Sequence, residues 1–182
     1  MLIGLGRRQK HAGAEDAVDM LLACHERIRS FTALAAKLAR SPGAPAAEVA
    51  DAAARVHRYF TVALPLHEAD EDRSLRPRLE AARLAPAVID AAFAMTEQHR
   101  VIDEEVATLV ALCERLVREP SAIASVAPDL GRSAGRLEML FEMHLELEER
   151  TIFPAIRGGL PPEARASLLA EMRERRGLAT AD

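Results

Sequence analysis

The chain has 182 residues, of which 49% are hydrophobic, 3% aromatic and 29% charged, with a formal net charge of -4 and a pI near 5.9. That length calls for one domain with a substantial core, and the acidic balance lacks the basic footprint that a nucleic-acid partner requires. No apolar run reaches the roughly 18 residues of a membrane span.

The opening MLIGLGRRQKH has a basic cluster but too few apolar residues, in the wrong order, for a signal peptide. Residues 1–13 are therefore read as a flexible N-terminal segment of a cytoplasmic protein, with His11 inside it. A first helix is predicted over 14–40, with Val18, Leu21, Leu22, Ile28, Thr32, Ala35 and Leu38 on one stripe. His25 falls within that stripe. The segment SPGAPA breaks the pattern, and Pro45 suits a helix start.

The second helix is predicted over 46–75, with Val49, Val56, Phe60, Leu64, His67 and Glu71 along its inner face. Pro65 should kink it, and Pro77 should end it. A third helix opens at Ala85 and Pro86 and continues to about Arg118; its apolar face carries Ile89, Ala92, Met95, His99, Ile102, Val106, Leu109 and Cys113. The fourth, expected to break or bend near Pro128 and Gly131, carries Leu137, Leu140, Phe141, His144, Glu148 and Ile152 up to Pro154. The last piece, PPEARASLLAEMRERRG, has ordinary helix start and stop signals and reads as a short helix laid outside the rest. Short loops make neighbouring helices antiparallel. The architecture expected is an all-α, up-down-up-down four-helix bundle over 14–157, followed by a short C-terminal helix and tail over 158–182.

Within this pattern one cassette occurs twice. HEADEDRSLRP and HLELEERTIFP share a histidine (His67, His144), a glutamate four residues on (Glu71, Glu148), an acid (Asp72, Glu149), an arginine (Arg73, Arg150), a hydroxyl (Ser74, Thr151), an aliphatic residue (Leu75, Ile152) and a proline (Pro77, Pro154) at matching offsets. Residues four apart on an α-helix lie about 40° apart around the axis, so each cassette turns an imidazole and a carboxylate the same way. A further histidine, His25 or His99, precedes each cassette by roughly forty to forty-five residues, enough for a helix, a turn and most of an antiparallel partner. Two such halves converge four histidines and two glutamates.

A lone histidine on an apolar face is more often a hydrogen-bonded core residue than a ligand. Four on one buried face, with two inward carboxylates that would be costly to bury alone, reverse that balance in favour of metal. The candidate ligands are His25, His67, Glu71, His99, His144 and Glu148, with Asp103 as an additional ligand, an acceptor behind His99, or a solvated residue. His57 reads as lateral or exposed. Glu68, Asp72, Glu146 and Glu149 point elsewhere by periodicity, with a solvated or supporting role. Mixed imidazole and carboxylate ligation without thiolate suits iron, with manganese or zinc as substitutes, and six ligands suit two ions better than one. Cys24 and Cys113 form no CxxC and read as free thiols.

The order His, His-x-x-x-Glu, His, His-x-x-x-Glu resembles the hemerythrin-like, or HHE cation-binding, family over residues 14–156. The resemblance implies an oxo- or hydroxo-bridged di-iron site, with His25 and His67 on one iron, His99 and His144 on the other, and Glu71 and Glu148 as bridges. It also implies a small diatomic ligand or peroxide as partner. The oxygen-carrying members have a second histidine one turn after the third-helix ligand, where this chain has Asp103, and they end the fourth-helix motif with a more distant aspartate. The departure favours redox reaction or sensing over storage of intact oxygen. Three readings stay open: a di-iron module that binds or senses oxygen, nitric oxide or redox and iron state; a di-iron enzyme that consumes peroxide or nitric oxide; and a bundle with a purely structural metal.

Overall fold

A computed structural model describes residues 16–178, so the predicted segment 1–13, with His11, lies outside the described residues. All regular structure among these residues is helical. Helix α1 covers Ala17–Ala39; its first turn is closed by Asp16, whose carboxylate accepts from the Asp19 amide at 2.8 Å while Asp19 accepts from the Asp16 amide at 3.2 Å. This reciprocal pair satisfies two amides that no helical carbonyl can reach. Helix α2 runs over residues 46–81 and α3 covers Pro86–Arg118. After a single tight turn at Pro120–Ala122, α4 runs over residues 123–159, and α5 covers Pro162–Arg175. Helix α1 packs on α2 and α4, and α3 packs on the same two.

Two of the rods are longer than their prolines suggest. Helix α2 does not stop at Pro77, and α4 does not stop at Pro154, because a wide π turn precedes each proline: Asp70–Leu75 before Pro77 and Glu148–Ile152 before Pro154. A third wide turn, Tyr59–Ala63, precedes Pro65 in the same way. In an α-helix each proline would crowd the carbonyl four residues back and leave it without a donor. Those carbonyls belong to Thr61, Arg73 and Arg150, all inside the wide turns, where bonding shifts one residue further along. Two of the π turns thus begin at or just before the cassette glutamates. The break expected near Pro128 and Gly131 is also absent, since Ile123–Leu147 is continuous. Pro128 is the sixth residue of that stretch and removes one amide donor, the one that would reach the Ala124 carbonyl, without breaking the helix.

The apolar core forms two clusters. One contains Ile28, Leu64, Ile102 and Leu145; the other contains Leu21, Leu75, Met95 and Ile152. His25 lies between Leu21 and Ile28 in sequence, His67 and Glu71 between Leu64 and Leu75, His99 between Met95 and Ile102, and His144 and Glu148 in the stretch from Phe141 to Ile152. A polar layer therefore crosses all four rods between two greasy ones. Helix α5 adds Leu168 and Met172, both fully buried, to the second cluster. It packs on α1 and on the wide turn Asp70–Leu75.

A candidate metal centre between the two apolar clusters

The six side chains of the polar layer are all buried, none more than 5% exposed. Glu71 presents Oε1 to His67 Nε2 and Oε2 to His99 Nε2, each at 3.2 Å. Glu148 repeats the arrangement, with Oε1 at 3.2 Å from His144 Nε2 and Oε2 at 2.9 Å from His25 Nε2. Two groups result, His25, His67, Glu71 and Glu148, and Glu71, His99, His144 and Glu148, each with donor atoms all within 4.8 Å of one another. Both carboxylates belong to both groups.

These atoms fit a cation better than they fit each other. His25 Nε2, His67 Nε2, His99 Nε2 and all four carboxylate oxygens of Glu71 and Glu148 are buried without a hydrogen-bond partner among the described residues. The short contacts lack hydrogen-bond alignment, although an orphaned buried polar atom is costly. Lone pairs aimed at a shared point are what metal ligation requires. Burial pushes the Glu71 and Glu148 carboxyls above their usual range, and it holds His67 and His144 well below theirs. A bound cation favours the ionised carboxylate and neutral imidazole, and so opposes the first shift and suits the second.

The outer faces of the imidazoles are held as well. His25 Nδ1 is 2.8 Å from Glu149 Oε1, His99 Nδ1 is 3.2 Å from Asp72 Oδ2, and His144 Nδ1 is 3.0 Å from Gln98 Oε1. In the neutral form of each ring these acceptors keep the proton on Nδ1 and leave Nε2 to face the centre. Asp72 also accepts from Thr96 Oγ1 at 3.0 Å, and Glu149 from Arg29 Nη2 at 2.8 Å. Protonation diverges between the two pairs. Burial holds His25 down at about 4 against the pull of Glu149. Burial also pulls His99 down, but Asp72 and Glu71 together lift it to about 11.

The supporting role that the sequence left open for Asp72 and Glu149 is thus specific: each lies one residue past a cassette glutamate and turns to a histidine of another helix. Asp103 stands differently. It is exposed and belongs to neither group, and the acceptor place behind His99 is taken by Asp72. Four residues beyond His99, it is turned by about 40° around α3, and its charge joins burial in raising the Glu68 carboxyl to about 8. His57 is half-buried and outside both groups.

Two contributors left no clear sequence signal. Gln98 looks like any polar residue beside a ligand. Asp70 lies one residue before Glu71 and is fully buried, yet it is held by Arg175 and Arg176 from α5. The only hint was its offset: the matching cassette position is the apolar Leu147. A cleft of about 570 Å³ lies beside α1 and α4, with Arg29, Thr32, Phe141, Leu145 and Glu149, the partner of His25, among its walls.

Residues 16–156 match the family described as the Hemerythrin HHE cation binding domain, and the chain belongs to that family. No curated protein matches it. Family membership and the buried histidine–glutamate cluster together make this a metal-binding helical protein.

Proposed function

We propose that the chain is an up-down-up-down four-helix bundle holding two irons and that it binds or senses oxygen, nitric oxide, or the redox and iron state of the cytoplasm. In this reading His25 and His67 hold one iron, His99 and His144 hold the other, and Glu71 and Glu148 span both. Residues 14–157 form the metal-binding unit, and 158–182 are appended to it. The observation that carries the proposal is the sharing of both buried carboxylates between two histidine pairs. A donor set of imidazole and carboxylate without thiolate favours iron, with manganese or zinc as weaker fits.

Iron at this centre supplies exchangeable coordination positions and a change of oxidation state. The chain supplies the rest. Glu149, Asp72 and Gln98 orient the imidazoles, and the two apolar clusters limit water around the polar layer. Two imidazoles and two carboxylates for each ion would leave coordination positions open, which suits exchange of a small ligand. The same incompleteness favours a second reading, an enzyme that consumes peroxide or nitric oxide. Cytoplasmic placement is supported by Cys24 and Cys113, both free and buried. No helix among the described residues is long and apolar enough to cross a membrane.

Anaerobic optical titration of the iron-loaded protein with oxygen, nitric oxide and peroxide tests this. A persistent adduct supports binding or sensing, sustained turnover supports the enzyme, and a centre inert to all three leaves a structural metal.

A further inference from the structure

The centre has an approximate internal symmetry that pairs His25 with His99, His67 with His144, Glu71 with Glu148 and Glu149 with Asp72. Charge does not follow it. On the His25 side, Arg29 Nη2 lies 2.8 Å from the same Glu149 oxygen that faces His25 Nδ1. Asp70, adjacent to Glu71 and fully buried, is gripped by both Arg175 and Arg176, with Arg176 Nη2 at 2.6 Å from Oδ2. One carboxylate faces two guanidinium groups, so a positive charge is left over. Arg176 Nη2 also lies 3.8 Å from the Sγ of Cys24, the neighbour of His25 in the chain.

The other half has no cation in ion-pair contact with its acid among the described residues, and Arg76 acts on Asp72 only from further away. Asp72 is held by His99 and Thr96. Leu147 stands where Asp70 stands in the first half. Imidazole support differs too. His144 Nδ1 is held by Gln98 at 3.0 Å, whereas His67 Nδ1 is buried without a partner among the described residues. The residue that precedes His25, as Gln98 precedes His99, is Cys24.

We propose that the two metal positions are unequal. The His99–His144 position retains its ion, the His25–His67 position exchanges it, and the C-terminal helix sets the difference through Arg175 and Arg176. Cationic side chains near a metal position oppose the ion, and a ligand imidazole without an outer acceptor is a weaker and less oriented donor. Both effects fall on the same half. The helix end that carries the arginines is itself fixed: Gly177, at φ 64, lets its amide reach Glu174 O at 2.8 Å and the Leu178 amide reach Arg173 O at 2.9 Å. This closing motif stops α5 where Arg175 and Arg176 meet Asp70. Arg78 braces the same helix through Glu171 and Ser167.

The inference rests on the two-ion reading above, and one experiment separates their failures. The full-length apoprotein is loaded anaerobically with ferrous iron and mixed with excess of a colour-forming ferrous chelator. The expected release is two ions per chain in two equal phases, with rates at least about tenfold apart. His67→Ala removes the fast phase, and His144→Ala removes the slow one. Arg176→Gln and Arg175→Gln, each leaving one guanidinium on Asp70, slow the fast phase; Gln98→Leu speeds the slow phase by about tenfold. Two ions leaving in a single phase overturn the inequality and leave the two-ion reading intact. An unchanged fast phase in both arginine variants overturns the role of the C-terminal helix. Fewer than two ions in the wild type overturns both readings.

Discussion

Asp72 and Glu149 occupy the same offset in the two cassettes, and each holds a histidine from the opposite half: Asp72 on α2 meets His99 on α3 at 3.2 Å, and Glu149 on α4 meets His25 on α1 at 2.8 Å. The halves are therefore interlocked through imidazole hydrogen bonds as well as through the shared glutamates. Neither half can orient its full ligand set alone.

Asp72→Asn and Glu149→Gln keep the shape of each acceptor but remove its charge. Each should weaken iron binding by about tenfold while leaving helix content unchanged, the usual scale for an outer partner of a ligand histidine. Competition against a chelator of known affinity, with circular dichroism alongside, checks both halves of that statement. An unaltered affinity would mean that these contacts do not govern the imidazoles.

Replacing a cassette histidine is more severe. His67→Ala or His144→Ala should halve or abolish the bound metal, whereas His57→Ala, half-buried and outside both donor groups, should do neither. Elemental analysis of the purified variants decides this. Equal loss in all three would show that the helical phase assigned to α2 is wrong.

Metal should change how stability depends on pH. His99 is raised from 6.5 to about 11, so its stabilisation is fully present below pH 6.5 and is lost as pH rises from there towards about 11. Glu71 and Glu148 are raised from 4.5, so they too cost stability as pH rises, because the unfolded chain ionises them first. The apoprotein should therefore melt at progressively lower temperature between pH 6.5 and 9, while metal, which binds the deprotonated carboxylates and neutral imidazoles, should add a growing increment over the same window. Melting curves at several pH values, with and without ferrous iron, test the sign.

The buried carboxylate of Asp70 anchors α5. Asp70→Ala leaves two guanidinium groups, from Arg175 and Arg176, facing a site without a counter-charge, and should destabilise the apoprotein by about 3 kcal/mol. The low end of the usual range applies because both arginines keep some exposure, 21% and 13% of their side chains. Urea unfolding of the metal-free protein measures the loss.

Much of this was legible in the sequence because it is written in periodicity. The stripes holding His25, His67, His99 and His144 carry their own apolar neighbours, and those neighbours fix the buried face of each helix. Helix ends at Pro86 and Arg118 followed from ordinary start and stop chemistry. Pro77 and Pro154 misled, because a local rule about proline does not register the wide turn placed just before it to absorb the displaced carbonyl. Asp103 was drawn towards the centre by its four-residue spacing, but spacing alone cannot tell a side chain that reaches inward from one at the edge of the same face. Gln98 and the Asp70–Arg175–Arg176 contact depend on how distant helices meet, and only Leu147 at the matching offset hinted that Asp70 was unusual.

The paired centre is tested most directly by counting metal in protein produced with added iron. Elemental analysis should give about two irons per chain, since four imidazoles and two shared carboxylates exceed the needs of one ion. One zinc per chain with no iron, after iron supplementation, would contradict it.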